Sequence, residues 1–199
     1  MSKTKFDFEG FLRKTFQVPL DAIAGFLLRL GITANFITLF GLVGNVVAAY
    51  LIARGQLLAG GLVAAFMAPL DALDGALARK TGVVGKFGAF LDSVVDRYDE
   101  MILLAGVLYH FQTQAYTLGV MLTYAALCGS VLVSYTRARA EGLGFSGKAG
   151  IFSRIERSIV LILGLVFNQL LISVGIIAIL ANVTALQRIF FVWKQSKQA

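Results

Sequence analysis

The sequence predicts an all-α integral membrane protein with six transmembrane helices and an N-terminal amphipathic helix at the membrane interface. Of its 199 residues, 58% are hydrophobic and only 15% are charged, and the mean hydropathy is +0.79. This composition is too apolar for a soluble globular domain. Apolar runs of about 20 residues, the length that crosses a bilayer, recur between short polar connections. We therefore expect one membrane domain over residues 34–193, preceded by a segment of residues 1–33 and followed by a tail of residues 194–199.

The N-terminal segment mixes short apolar runs with basic residues. Lys5, Arg13, Lys14 and Arg29 flank these runs, and Pro19 interrupts them. This pattern favours a helix that lies along the cytoplasmic interface over one that crosses the bilayer. We therefore predict an interfacial helix before the first span.

Six later stretches have the apolar character of spans. The second ends in acidic residues and the third begins with them. A link of only a few residues joins these two, so we expect antiparallel neighbours with their acidic ends at one membrane depth. The predicted spans are, to within a few residues, Ala34–Ala53, Leu57–Lys80, Lys86–Tyr109, Thr117–Tyr135, Ile155–Phe167 and Leu170–Trp193.

Basic residues lie almost entirely on one side of this predicted topology. The chain has 18 Lys and Arg residues, of which Arg54 alone lies near a connection on the other side. By the positive-inside bias, both termini and the acidic span ends face the cytoplasm, in a multi-pass protein of the cell membrane. The net charge of +7 is better explained by this topology and by anionic membrane lipids than by nucleic acid.

Four aspartates interrupt the apolar pattern where the second predicted span ends and the third begins. Asp71 and Asp74 are three residues apart, and Asp92 and Asp96 are four apart, so each pair lies on one face of its helix. Four carboxylates near a bilayer repel one another and need a compensating cation. Oxygen ligands select hard cations such as Mg²⁺ or Mn²⁺, so phosphoryl-type chemistry is our first hypothesis.

Small and basic residues beside the aspartates indicate where a phosphate would bind. Gly75 and Gly88 have no side chains, so a ligand can approach the helix backbone closely there. Arg79, one turn beyond Gly75, is placed to bind a phosphate held by the metal ions. The alternative is that the aspartates simply pair with nearby cations, namely Arg79, Lys80 and Lys86.

The whole pattern, D-x2-D-G-x2-A-R-x8-G-x3-D-x3-D from Asp71 to Asp96, resembles the signature of the CDP-alcohol phosphotransferase family. The resemblance implies a membrane enzyme of phospholipid biosynthesis. Such an enzyme moves a phosphatidyl-type group from CDP-diacylglycerol, or from a CDP-linked ether lipid, to an alcohol and releases CMP. The resemblance also implies a homodimer.

In the mechanism we expect, the first three aspartates hold one or two divalent ions on the donor's pyrophosphate. Asp96 deprotonates the acceptor hydroxyl and also contacts a metal ion. The segment from Thr33 to Thr38 is similar to a family segment that lies beside the CDP moiety, although Ala34 stands where the family usually has proline. An alternative role for its polar residues is helix capping. The residues expected to bind the CDP-lipid are Asn35, Thr38, Gly75 and Arg79.

A second concentration of charge, in residues 134–141 and 153–157, lies on the same predicted side as the aspartates. Arginines at such a position are suited to binding a second anionic group. Within the family, these segments are similar to those of the phosphatidylinositol phosphate and archaetidylinositol phosphate synthase branch, which uses inositol phosphate as the acceptor. The resemblance implies that the acceptor phosphate is bound by Arg137, Arg157 and Arg188, supported by Arg139 and Arg154.

Other interpretations stay open at this point. Another acceptor is possible within the family, as in a phosphatidylglycerolphosphate synthase. An ion-coupled transporter also carries intramembrane carboxylates, but it distributes them along a path instead of gathering them at one end of two helices. A purely structural membrane protein would leave the four aspartates unexplained.

Two further polar sites are predicted to be structural. His110 ends the third predicted span on the side opposite the aspartates, where an interfacial role is expected. Asp99 continues the face of Asp92 and Asp96, and with Arg97 and Glu100 nearby it is expected to form a buried ion pair or to support the metal ligands.

Overall fold

A computed structural model describes residues 20–81, 85–147 and 149–198, apart from the side chains of Asp71 and Thr81. Within these ranges every regular element is an α-helix. The helices are α1 (residues 20–29), α2 (Ala34–Ala53), α3 (Leu57–Met67), α4 (Leu70–Thr81), α5 (Lys86–Thr113), α6 (Thr117–Gly142), α7 (Arg154–Val166) and α8 (Leu170–Ser196).

Four helical stretches in the described part of the chain are long and apolar enough to cross a membrane, namely Ala34–Ala53, Leu57–Lys80, Thr117–Gly142 and Leu170–Ser196. The all-α class of a membrane protein is thus confirmed. The other two predicted spans correspond to α5 and α7, which do not meet the same criteria. α5 carries its charged residues in the half that begins at Lys86. α7 has 13 residues and is about 20 Å long, which is shorter than the ~30 Å hydrocarbon core of a bilayer.

The second predicted span is divided at Pro69, since α3 ends at Met67 and α4 begins at Leu70. Proline has no N–H to donate to the carbonyl four residues earlier, so it interrupts an apolar helix. α5, α6 and α8 continue beyond their predicted ends. The extra turns of α6 carry Arg137 and Arg139, which therefore lie on a helix and not in the connection that follows.

Close packing between the helices depends on small residues. Gly106 of α5 faces α2, where an added Cβ would lie 2.5 Å from the carbonyl oxygen of Ala49. Gly129 of α6 faces α8, where an added Cβ would lie 2.6 Å from Nδ2 of Asn182. That amide donates to the carbonyl of Ala125 at 3.0 Å. Glycine at these two positions lets the backbones approach as they do in many membrane bundles.

The first aspartate helix, α4, is held by a small apolar cluster separate from the main core. Ala24 of α1 and Ile37 of α2 pack there with Leu73 and Leu77 of α4. This cluster places α4 beside the first turns of α2. Residues 1–19 of the predicted interfacial helix and residues 82–84 of the predicted link lie outside the described residues.

Candidate active site

The first turns of α2 contact both aspartate-bearing helices. The hydroxyl of Thr38 donates to Oδ2 of Asp74 in α4 at 2.7 Å, and both side chains are buried. On the α5 side, an added Cβ at Gly88 would lie 3.7 Å from Oδ1 of Asn35. Asn35 itself is exposed. Thr38 therefore orients Asp74, a predicted metal ligand. Asn35 lies close to the backbone of Gly88, which has no side chain.

Helix capping does not account for Asn35 and Thr38. The N-cap of α2 is Thr33, whose hydroxyl oxygen accepts from the backbone N–H of Phe36 at 3.3 Å. Asn35 and Thr38 lie inside the helix, after the cap. The hydroxyl of Thr38 bonds Asp74 on α4, and the amide oxygen of Asn35 lies near Gly88 on α5, so neither residue is the cap.

Arg79 folds back along α4 towards Gly75. An added Cβ at Gly75 would lie 3.3 Å from Nη1 of Arg79, and the arginine side chain is exposed. The absence of a side chain at Gly75 lets the guanidinium lie over the helix backbone one residue from Asp74. An exposed guanidinium beside a carboxylate ligand is well placed for a phosphate.

The donor chemistry of the predicted metal ligands fits a hard divalent cation. Asp74 is 4% exposed, and Asp92 and Asp96 are partly buried. All are carboxylates, the ligand type that suits Mg²⁺ and Mn²⁺. Among the described side chains, no group of three or more His, Cys, Asp or Glu residues is close enough to hold a metal ion. The side chain of Asp71, the fourth predicted ligand, lies outside the described part.

Asp96, the predicted base, is in contact with one of the predicted acceptor arginines. Nη1 of Arg154, at the start of α7, lies 2.5 Å from Oδ1 of Asp96, and Nη1 of Arg97 lies 3.6 Å from Oδ2. The other terminal nitrogen of Arg154 lies 4.0 Å from Oδ2 of Asp99, which is buried. The structure therefore brings Arg154 of the basic 153–157 segment against Asp96 and Asp99.

Arg157 is the most buried of the predicted acceptor arginines. Its side chain is 1% exposed, and it makes a bidentate ion pair with Glu100, with N–O distances of 2.6 and 2.8 Å. Its third contact is with the carbonyl of Phe152 at 3.4 Å. Sequence reasoning grouped Glu100 with Asp99 and missed this pairing. The available signal was an acidic residue in the middle of α5, beside an apolar run that begins at Met101, where a carboxylate needs a basic partner.

The remaining predicted acceptor arginines lie around α6 and α8. Nε of Arg188 donates to the carbonyl of Ala149 at 2.8 Å, and Nη1 donates to the carbonyl of Val133. Arg188 lies close enough to Arg137 and Arg157 to interact with both electrostatically. Arg137 is exposed and pairs with Glu141 at 3.0 Å.

Arg139 and Arg188 line a cavity of about 190 Å³ between α6 and α8. The rest of its lining is mostly apolar and includes Leu143 and Val192. The predicted arginines thus form a basic region in two parts, with Arg154 beside Asp96 and the others near Arg188.

The polar sites that were predicted to be structural are buried. Asp99 is 3% exposed and His110 is 7% exposed. His110 is therefore not exposed at an interface, and its ring nitrogen lies 3.2 Å from Nε2 of Gln114. The contact between Asp99 and Arg154 agrees with the predicted ion pair, although the partner comes from α7 and not from the neighbouring turn of α5.

Comparison with known proteins agrees with this geometry. The family model for CDP-alcohol phosphatidyltransferases matches residues 31–193. An archaetidylinositol phosphate synthase from Pyrococcus horikoshii is 40% identical over 185 residues, which cover 90% of this chain and 93% of that protein.

Solved structures of a relative show the same fold. The phosphatidylinositol phosphate synthase of Mycobacterium tuberculosis, with CDP-DAG bound, is 33% identical and has a TM-score of 0.81 over 87% of this chain and 93% of that chain. Its complex with manganese and citrate has a TM-score of 0.82 at 33% identity, over 87% of this chain and 88% of that chain.

The matched region contains the whole aspartate pattern and all five predicted acceptor arginines. The predicted resemblance is therefore confirmed, and an enzyme is favoured over an ion-coupled transporter. This chain belongs to the CDP-alcohol phosphatidyltransferase family and is a membrane-embedded transferase.

Proposed function

We propose that this enzyme transfers the phosphatidyl-type group of a CDP-linked lipid, either CDP-diacylglycerol or a CDP-ether lipid, to a hydroxyl of inositol phosphate and releases CMP. The observation that carries the proposal is the contact between Arg154 and Asp96. It places a basic segment suited to a phosphorylated acceptor against the carboxylate proposed as the base. The names of the relatives from Pyrococcus and Mycobacterium support inositol phosphate as that acceptor.

The donor site is proposed at the first turns of α2 and along α4. Asn35 and Arg79 are exposed and offer an amide and a guanidinium to the nucleotide and its phosphates. Thr38 fixes the orientation of Asp74 through their 2.7 Å hydrogen bond. Gly75 lets the pyrophosphate approach the backbone of α4. The apolar tails of the donor would remain in the bilayer.

The carboxylates are proposed to hold Mg²⁺ or Mn²⁺, with two ions as the expected number. Asp71, Asp74, Asp92 and Asp96 supply oxygen donors alone, and a manganese complex of a relative supports this choice of metal. When bound, such cations neutralise the charge of the pyrophosphate and of the departing CMP. The carboxylates of α4 and α5 would hold these ions.

The chemical step uses Asp96 as a general base. Its carboxylate accepts the proton of the acceptor hydroxyl, and the hydroxyl oxygen forms a bond to the phosphorus of the phosphatidyl group. The bond from that phosphorus to the bridging oxygen of CMP breaks, and CMP leaves with the electron pair. Holding both substrates at one site makes the reaction effectively intramolecular.

The acceptor arginines are proposed to divide their roles by exposure. Arg137 and Arg139 approach from α6, where their guanidinium groups can contact the acceptor phosphate directly. Arg188 lines the cavity between α6 and α8 together with Arg139. Arg157 is 1% exposed and held by Glu100, so it contributes positive potential and support beneath the site. Arg154 lies nearest the base.

The proposed topology has six spans, with α5 and α7 embedded between the four helices that satisfy length and composition. Both termini and the aspartates face the cytoplasm, since the basic residues lie on that side. α1 lies at the interface, with Ile23 and Phe26 exposed to lipid and Ala24 packed on the protein. The functional unit is proposed to be a homodimer.

The proposal is tested with purified protein reconstituted in lipid nanodiscs. CDP-diacylglycerol and CDP-archaeol are offered in turn with inositol 1-phosphate, glycerol 3-phosphate, serine or free inositol, and CMP release and the lipid product are measured. We expect turnover with inositol 1-phosphate, loss of turnover with EDTA, and recovery with Mg²⁺ or Mn²⁺. Equal or faster turnover with glycerol 3-phosphate would instead support a phosphatidylglycerolphosphate synthase.

Two arginine variants give a matched control. Arg137→Gln should raise the KM for inositol 1-phosphate about tenfold or more, because it removes a charge-assisted contact to the phosphate. Arg54→Gln removes an exposed arginine at the opposite end of α2 and should leave the KM unchanged. Equal effects of the two variants would contradict the placement of the acceptor site.

A further inference from the structure

Arg154 lies between two carboxylates of α5. One terminal nitrogen is 2.5 Å from Oδ1 of Asp96, and the other is 4.0 Å from Oδ2 of Asp99. The two acids are three residues apart and so lie on the same face of the helix. Arg154 therefore has a close contact with the first acid and a longer ion-pair contact with the second.

Two positive groups compete for Asp96. The proposed function places a divalent cation at this carboxylate, and a guanidinium hydrogen-bonded to the same group repels that cation. Arginine cannot lose its charge to relieve the repulsion. The repulsion between a cation at Asp96 and Arg154 would fall if the guanidinium shifted towards another anionic partner.

Asp99 can provide that partner. It is 3% exposed and already lies within ion-pair distance of Arg154, in surroundings where solvent screens the attraction little. A movement of about 1 Å would bring the second nitrogen of Arg154 from 4.0 Å to the usual distance of a charge-assisted hydrogen bond. The next acid on this face, Glu100, already binds Arg157 with both of its oxygens. Arg97 lies 3.6 Å from Asp96 and bonds the carbonyl of Ser93.

We propose that Asp99 is a positioning residue that draws the guanidinium of Arg154 away from Asp96 when a cation binds there. The proposal rests on the proposed function, which supplies the cation at Asp96. It assigns to Asp99 a role that acts through Arg154, and not through direct contact with substrate or metal.

Binding of Mn²⁺ to the purified full-length protein tests this role without reference to turnover. Free Mn²⁺ is measured by electron paramagnetic resonance for the wild type, Asp99→Asn, Arg154→Met and the double variant. In the wild-type background, Asp99→Asn should raise the Kd for Mn²⁺ at the site about tenfold, the size expected for loss of a group that orients the surroundings of a metal. In the Arg154→Met background the same change should alter the Kd less than about twofold, because no competitor remains.

An equal loss of affinity in both backgrounds would overturn the proposal, since Asp99 would then act on the cation by its charge alone. No loss in Asp99→Asn would overturn it as well. If Arg154→Met does not fold, Arg154→Gln replaces it. Glutamine keeps a polar side chain but has no charge to compete with the cation, so the effect of Asp99→Asn should again be smaller than in the wild type, and an undiminished effect would count against the role.

A charge-matched control is Asp21→Asn on α1, which should leave the Kd unchanged. If it weakens binding as much as Asp99→Asn does, net charge explains the result and the proposal fails. If the proposed function itself is wrong, the result is different. The wild type would then show no metal-dependent release of CMP, whatever the Kd values of the four proteins for Mn²⁺.

Discussion

The buried pair between Arg157 and Glu100 predicts a large loss of stability when its acidic partner is removed. Glu100→Ala deletes both bonds, of 2.6 and 2.8 Å, from a guanidinium that is 1% exposed. The charge would remain buried without its carboxylate. Breaking a buried pair in this way costs about 3–5 kcal/mol.

The same helix bundle contains an exposed pair that serves as the control. Arg137 and Glu141 are 3.0 Å apart, and each side chain is 48% exposed. Solvent screens this pair, so Glu141→Ala should cost less than about 1 kcal/mol. The two substitutions delete the same chemical group, and they differ in how far its partner is buried.

Thermal unfolding of the purified protein in one detergent distinguishes the two cases. For a chain of this length, 1 kcal/mol shifts the Tm by about 2–4 °C. Glu100→Ala should therefore lower the Tm by about 6–20 °C, whereas Glu141→Ala should lower it by less than about 4 °C. The double variant Glu100→Ala with Arg157→Met should recover most of the loss, because it also removes the unpaired charge. Equal shifts for the two single variants, or no recovery in the double variant, would refute the reasoning.

Three further predictions concern the site and its packing. Asp96→Asn should reduce CMP release by about 10²-fold or more through loss of the base, with an unchanged circular dichroism spectrum; retained turnover would remove the base assignment. Thr38→Val should weaken Mn²⁺ binding about tenfold, because it deletes the hydrogen bond that orients Asp74; an unchanged titration would show that the bond has no such role. Gly106→Val should lower the Tm by forcing α5 away from Ala49, and a Tm equal to that of the wild type would contradict the close packing.

Local features of the sequence were sufficient to predict the all-α class and the motif-bearing helices. The three- and four-residue spacings of the aspartates correctly place Asp74 on α4 and Asp92 and Asp96 on α5. A local feature also explains the break between α3 and α4, because Pro69 lacks the N–H that a continuous helix would need there. These features depend on neighbours within a few residues, so they can be read without knowledge of the fold.

Pairing between helices could not be predicted in this way. Arg157 and Glu100 are 57 residues apart, and the periodicity of either helix says nothing about which partner it meets. The carbonyls that bind Arg188 become its partners only after α6 and the following connection pack on α8. The sequence therefore identified basic residues suited to an anion, whereas the structure shows that Arg157 is already committed to a carboxylate.

The same pairs explain why the hydropathy of α5 is low for a proposed span. A hydropathy average counts each ionised side chain at its full free-energy cost of transfer into lipid, as though the side chain had no partner in the protein. In the structure, acids of α5 meet arginines of α7, in the contacts of Arg154 with Asp96 and of Arg157 with Glu100. Charges that pair inside a bundle cost far less than isolated ones, and they mark functional positions in membrane proteins. α5 also packs against α2, and α7 against α3 and α8, so helices that do qualify as spans shield both. We infer that the charges of α5 do not prevent it from lying in the membrane, because α7 supplies their counter-charges. The shortness of α7 is a separate matter that these pairs do not affect.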